Sequence, residues 1–299
     1  MGASNAGYRC RVADIRNARP ADVDGIFALL SARSRAAFGV SEVLREHVAH
    51  ALGRRNGTDR WVALEAEEVV GYAALDSSQD LVHAAVDPAV GDELLARAET
   101  RSRERGFSHI SITTVPEDRP LSELVERHGF VHDRDILRMW REVGHERTAQ
   151  WPTGISVRCY DAADGERVHA LLDECYSGWD ASYVPVPHEE WLAFMTSHDE
   201  FDPALWFLAE RDGKLVGCAL HWKEQQASGW VKDLAVVASE RGHGLGSALL
   251  NHAFVAYAAR GVKRVGLKVD STNPSGALEL YARAGFVIDR RHGIWTRAL

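Results

Sequence analysis

Hydrophobic and polar positions along the chain fall into short runs and helical stripes. Val236-Val237 closes an apolar stretch, the chain passes through Arg241-Gly242-His243-Gly244-Leu245-Gly246, and apolar positions resume at Ala248-Leu249-Leu250. That pattern predicts a strand, a glycine-rich turn and a helix opening at Ser247. Further on, Ala277, Leu280, Tyr281 and Ala284 share one face at helical spacing. Asn273-Pro274 is the start signal for this second helix, Gly285 its stop, and a strand is predicted from Phe286.

The same kinds of segment occur twice. Ile15-Arg16 with Asp22 answers Val157-Arg158 with Asp164, each a strand followed by a helix-capping Asp. Trp61-Val62-Ala63-Leu64-Glu65 and Val70-Gly71-Tyr72-Ala73 answer Trp206-Phe207-Leu208-Ala209-Glu210 and Val216-Gly217-Cys218-Ala219. The hairpins between them turn at Ala66-Glu67-Glu68 and at Arg211-Asp212-Gly213, where Asp-Gly is a strong turn signal. Ala85-Val86 answers Ala235-Val236, and His128-Gly129-Phe130-Val131 answers Ala284-Gly285-Phe286-Val287. A chain of 299 residues suits two domains. The repeat places them at residues 1–145 and 153–299, joined near Val143 to Gly154.

The glycine-rich turn is suited to an anion. Glycines let backbone N–H groups converge without Cβ obstruction, and the following helix adds the positive end of its dipole. A dinucleotide-binding fingerprint or a P-loop would require a long β-α-β series with a well-placed acid, or a Gly-Lys-Ser/Thr ending. Asp270 lies near the distance for such an acid, but the Asn273 helix follows it at once, and there is no Gly-Lys-Ser/Thr. In this order, R-x-x-G-x-G and N-P-x-x-A-x-x-L-Y-x-x-x-G-F instead resemble the GNAT acyltransferases, which bind acetyl-CoA. The two motifs span residues 231 to 287.

The resemblance implies two tandem α/β (α+β) GNAT domains, each a mixed, mainly antiparallel sheet flanked by helices. It implies direct transfer of an acetyl group from acetyl-CoA to a primary amine of a small molecule within a ternary complex, with no metal. Backbone groups of Leu234, Ala235 and Val236 would bond the pantetheine arm and the acyl carbonyl. Arg241, Gly242, His243, Gly244, Leu245, Gly246 and Ser247 would hold the pyrophosphate, and Asn273 the pantetheine. Tyr281 would protonate the departing thiolate, a task that suits a phenol because it keeps its proton at neutral pH; the other reading of this aromatic is simple core packing. Asp233 is the candidate base, with a salt bridge to Lys232 as the other reading, and Glu210 and His221 are further candidates. The stretch from Tyr176 to Trp191 either covers an amine or completes the core. Trp179, Asp180 and Tyr183 are its candidate substrate contacts, and Trp230 and Trp222 are further candidates for the cleft lining.

The first copy lacks these features. Between Val86 and Leu95 it reaches its helix sooner than the second copy does and without the glycine turn, Asp92 and Glu93 stand at that helix N-terminus where a pyrophosphate would sit, Val125 replaces Tyr281 and Glu117 replaces Asn273. It is expected to be a degenerate domain, and the second copy the catalytic one.

Charge narrows the partners. The net charge is −8, shared as −4 by each half, and no basic stripe favours nucleic acid. Cys10, Cys159, Cys175 and Cys218 are scattered without zinc spacing and are read as reduced thiols. The N-terminus has no signal-peptide pattern and no apolar run suits a membrane span, so a cytoplasmic monomer or homodimer is expected. The arginine-rich, lysine-poor composition suggests a bacterial source of high GC content. The chain is also similar to the mycothiol synthases, tandem members of the superfamily with one catalytic half. Acetylation of a cysteinyl amino-sugar is therefore one alternative function, and a non-catalytic acyl-CoA sensor or scaffold another.

Overall fold

The computed structural model describes residues 13–53, 58–144, 148–177, 183, 185–197, 199–223 and 228–299. In chain order the first half holds β1 (Asp14–Asn17), α1 (Val23–Phe38), α2 (Arg45–Gly53), β2 (Asp59–Glu65), β3 (Glu68–Leu75), β4 (Asp80–Ala85), α3 (Pro88–Glu104), β5 (His109–Thr114), α4 (Arg119–Arg127) and β6 (Val131–Glu142). The second half holds β7 (Ile155–Cys159), α5 (Gly165–Ser177), α6 (His188–Thr196), β8 (Phe201–Arg211), β9 (Lys214–Lys223), β10 (Ser228–Val236), α7 (Leu245–Ala259), β11 (Arg264–Asp270), α8 (Ala277–Arg283) and β12 (Val287–Ala298).

The chain forms two compact units, one running to Arg134 and joined by His292–Leu299, the other Asp135–Arg291. In the first, β1, β2, β3 and β4 pair antiparallel in sequence order, β4 pairs parallel with β5, and β5 takes Gly293–Ala298 of β12 as its other neighbour. In the second, β7, β8, β9 and β10 pair antiparallel, β10 pairs parallel with β11, and β11 takes Ile136–Glu142 of β6. Each unit thus has the same six-strand order, completed by a strand from the other half of the sequence. The division expected from the repeat, 1–145 and 153–299, is continuous; the observed one is not. Both closing strands follow a helix and a Gly-Phe step, so the exchange leaves the pattern of each half unchanged.

Local chemistry repeats with the topology. Arg16 pairs with both oxygens of Asp22 at 2.8 and 2.7 Å, and Arg158 with both oxygens of Asp164 at 2.6 and 2.7 Å. Each Asp also accepts a backbone N–H three residues upstream, from Arg19 and from Asp161. The hairpins are two-residue turns with both central residues at positive φ, Ala66 and Glu67 in one and Asp212 and Gly213 in the other. Both faces of each sheet are covered. In the second unit, α7 buries Leu249, Leu250, Phe254 and Tyr257 on one face, while α5 and α6 bury Leu171, Leu172 and Met195 on the other. Each such side chain contributes about 1.5–3 kcal/mol of burial, which anchors the N-terminus of α7 against the sheet.

Candidate active site

The site begins where two parallel strands separate. The β10–β11 ladder runs from Ser228–Arg264 to Val231–Leu267 and stops. A bulge at Lys232 interrupts the β9 pairing, which then resumes from Asp233–Leu220 to Val236–Gly217. A bulge bends and twists its strand, and beyond it β10 stays with β9 while β11 continues beside β6. Residues 232–236 therefore keep one partnered edge and turn the other toward a cavity of about 400 Å³.

The N-terminus of α7 forms one wall. Gly242 and Gly244 have φ of +78° and +85°, values that side-chain-bearing residues avoid. Gly244 is the residue before the helix, no side chain caps it, and the first turn contains no acid. The first N–H groups of a helix have no acceptor within it, so Leu245, Gly246 and Ser247 present three donors at the positive end of the dipole. Leu245 and Leu249 are buried beneath them. A Cβ on Gly246 would stand 3.1 Å from Leu280 Cδ2, so α8 fits closely here. Upstream, Glu240 pairs with Arg211 at 2.7 and 3.0 Å, and the Arg241 Nε donates to the Val236 carbonyl at 2.9 Å.

A second wall is α8. The Asn273 side-chain oxygen accepts the Ser275 N–H at 2.9 Å, setting the turn that leads to Gly276 and the helix. Tyr281 is 7 % exposed, packs edge-on to Phe286 and lines the cavity, so it is both a core residue and a site residue. Burial, and after it the charge of Asp233, push its phenol well above the usual range. Asp233 lines the same cavity. Its closest partner is the Tyr176 hydroxyl, which donates to Oδ1 at 2.6 Å, while Lys232 Nζ lies 3.4 Å from Oδ2. The salt bridge considered from the sequence is therefore present, but as the longer contact.

Of the residues expected to contact the cofactor, all but His243 line the cavity; the His243 side chain is exposed. The cavity also takes Cys175 and Tyr176 from α5. The sequence marked Tyr176 only as the start of an aromatic stretch, although it directly follows the apolar stripe Val168, Leu171, Leu172, Cys175. Trp230 is not brought to the cavity lining. Its ring meets Trp140 edge-on at 5.7 Å and occupies the space a Cβ on Gly266 would need, below the point where the strands part. The Tyr183 hydroxyl donates to Asp173, and its ring lies 5.8 Å from that of Tyr176. Trp179 and Asp180 lie outside the described residues. Glu210 is held by Arg158 and Arg167 at 2.9 and 3.0 Å, a structural role.

His221 is fully buried, and neither ring nitrogen has a hydrogen-bond partner. Burial pushes its pKa down to about 3. A chain that unfolds binds a proton at His221 below the ordinary pKa of about 6.5, while the folded chain binds none until much lower, so stability falls as pH falls through that window. Between pH 7 and pH 5 this residue should account for a loss of about 2 kcal/mol, from about 1.4 kcal/mol per pH unit below the unfolded value. Denaturant unfolding of the second unit at the two pH values should show a correspondingly smaller loss for His221→Leu. An equal loss in both proteins would remove the assignment.

The equivalent region of the first unit is smaller and is lined by different groups. The pairs Val86 N–H to Val70 O and Val237 N–H to Val216 O match, which aligns Ala85 with Val236, one residue from the register read off the sequence. Val82 then stands at the position of Asp233. The anion-repelling group at the N-terminus of α3 is Asp87, whose side chain accepts the Val90 N–H at 3.0 Å, and Pro88 removes one donor outright. Asp92, expected in that role with Glu93, lies a turn further along and pairs with Arg127 and His128. The helix begins earlier than the spacing suggested because Asp87-Pro88 is itself a cap-and-start signal. Val125 is fully buried and its carbonyl accepts the Phe130 N–H at 2.9 Å, as that of Tyr281 accepts the Phe286 N–H at 3.0 Å. The two positions are thus equivalent. The cavity that remains is about 150 Å³.

The chain is similar to known proteins. The Acetyltransferase (GNAT) family profile matches residues 165–286, the segment from the start of α5 through α8. A mycothiol acetyltransferase of Geodermatophilus obscurus is 29 % identical over 96 % of this chain and 98 % of its own. One from Thermomonospora curvata is 30 % identical over 75 % and 77 %. Among solved structures, a GCN5-related N-acetyltransferase from Sphaerobacter thermophilus superposes with a TM-score of 0.76 at 26 % identity, covering 96 % of this chain and 95 % of that one. A tandem GNAT protein from the clavulanic acid biosynthesis pathway shares the fold, with a TM-score of 0.74 at 18 % identity and coverage of 96 % and 98 %. The chain belongs to the acetyltransferase (GNAT) family and is an N-acetyltransferase.

Proposed function

We propose that the second unit transfers the acetyl group of acetyl-CoA directly to the primary amine of a small molecule, and that the first unit has no productive acetyl-CoA site. One observation carries this reading: Asp233 and Tyr281 line a single cavity whose other walls are the uncapped N-terminus of α7 and the unladdered edge of β10. These walls fit the donor. The three free N–H groups at Leu245, Gly246 and Ser247 suit a pyrophosphate, and the β10 edge offers N–H and C=O groups to an amide-bearing arm. When bound, acetyl-CoA supplies an activated acyl carbon and a thiolate leaving group. Asp233 receives a proton from the amine, and Tyr281 holds one for the leaving sulfur.

A second reading is favoured by the relatives that match this chain over nearly its whole length and are named mycothiol acetyltransferases. In that reading the amine belongs to a cysteinyl amino-sugar. Calorimetric titration of acetyl-CoA, followed by thiol-release assays across aminoglycosides, polyamines, amino-acid esters and cysteinyl amino-sugars, tests both. One site per chain and turnover of one amine class are expected, and the class decides between the two readings. Two equivalent full-affinity sites would overturn the reading of the first unit; binding without turnover of any amine would leave a sensor.

A further inference from the structure

One side chain that lines the cavity has no role in the reaction as described. Tyr176 stands near the C-terminal end of α5 and donates its hydroxyl proton to Oδ1 of Asp233 at 2.6 Å. Burial, reinforced by the adjacent Asp233, pushes its phenol well above the ordinary range, so it is a donor at neutral pH. A neutral donor orients a carboxylate without cancelling its charge, which an arginine in the same place would do. Oδ2 is treated differently. Its neighbour is Lys232 Nζ at 3.4 Å, on a side chain 29 % exposed, against 11 % for Asp233. One oxygen is thus firmly fixed and the other loosely covered by a cation from the bulge.

We infer that Tyr176 is the positioning residue for the acceptor amine: it fixes the Asp233 carboxylate so that Oδ2 receives the substrate's ammonium, which takes the place of Lys232. The inference rests on the reading of Asp233 as the carboxylate on the amine side. The class of substrate follows from it, a primary amine that enters protonated. Its N–H bond breaks as the Oδ2–H bond forms, the electron pair stays on nitrogen, and the neutral amine is then competent to attack. Lys232 keeps the carboxylate compensated in the absence of substrate, and its longer contact leaves it displaceable.

The test uses the fastest amine of the panel above and measures its Kd by calorimetry in the dead-end complex with CoA, together with its KM and kcat in turnover. Tyr176→Phe should raise the amine Kd and KM about 10-fold, on the order of one charge-assisted hydrogen bond. The acetyl-CoA Kd should stay within about twofold, because the substitution keeps the Tyr176 ring in the cavity wall and removes only the hydroxyl held by Asp233. General loosening of α5 would move both constants. Lys232→Met should lower the amine Kd about threefold by removing the competing cation. In an Asp233→Asn background, Tyr176→Phe should add less than about twofold. An unchanged amine Kd in Tyr176→Phe, or the full effect persisting in the Asp233→Asn background, would overturn the inference while leaving the acetyl transfer intact. A parent protein that binds and turns over no amine would instead reject the amine reading, and the inference with it.

Discussion

Tyr281→Phe is expected to lower kcat by about 10²–10³, with the acetyl-CoA Kd and the amine KM within about threefold of the parent. The ring is part of the core, packed edge-on to Phe286 at 5.8 Å, and phenylalanine keeps that packing. What disappears is one hydroxyl facing the cavity, so the loss should fall on the step in which the leaving sulfur takes a proton. A loss of this size corresponds to about 3–4 kcal/mol of transition-state stabilisation. The direction of the pKa shift adds a second signature. Because burial and Asp233 raise the phenol, its proton is retained through the ordinary alkaline range, and kcat should show no fall from phenol ionisation below pH 10. Steady-state kinetics from pH 6 to pH 9.5 would check both statements. Turnover within threefold of the parent would remove the acid role and leave Tyr281 as packing.

The features that could be read from the sequence are those carried by local chemistry. Gly242 and Gly244 are required by positive φ, the helical face of Ala277, Leu280 and Tyr281 by its period, and the recurrence of Asp22 and Asp164 by their place after a strand, although their pairing with Arg16 and Arg158 is not legible from it. These signals lie within a few residues of the structure they specify. Strand exchange was not legible, because alternation identifies a strand and a buried face but does not select its partner. β6 and β12 have equivalent contexts, and nothing in either distinguishes the β5 edge from the β11 edge. The Tyr176–Asp233 bond joins residues 57 apart, and a tyrosine beyond an apolar helical stripe reads as ordinary core. Trp230 is a candidate for the cleft from the sequence, but it lies in the part of β10 still paired with β11, and its ring packs against Trp140 and over Gly266. The one-residue register difference at Ala85 and Val236 has the same origin, since two short apolar strand ends align equally well in either frame.

Gly244→Val should weaken acetyl-CoA binding about 30- to 100-fold, with kcat at saturating donor much less affected. Gly244 adopts φ +85° and ψ 0° directly before α7, a conformation that costs a β-branched residue about 1–3 kcal/mol. A Cβ there would meet nothing within 4 Å, so collision with neighbouring side chains is not the cause. The chain would relieve the strain by rotating toward negative φ, and the N–H groups of Leu245, Gly246 and Ser247 would no longer converge on one point. Losing that convergence by about 2–3 kcal/mol accounts for the expected factor. Asparagine tolerates the left-handed region, so Gly244→Asn should cost only a few-fold. The graded pair separates backbone geometry from bulk at the mouth of the cavity: valine and asparagine differ little in size but greatly in their tolerance of positive φ. Calorimetric Kd values for acetyl-CoA in the order parent, Asn, Val are the expected result. Equal weakening by the two substitutions would mean that the turn acts through open space and not through its conformation, and the pyrophosphate would then have to be held mainly by side chains such as Arg241.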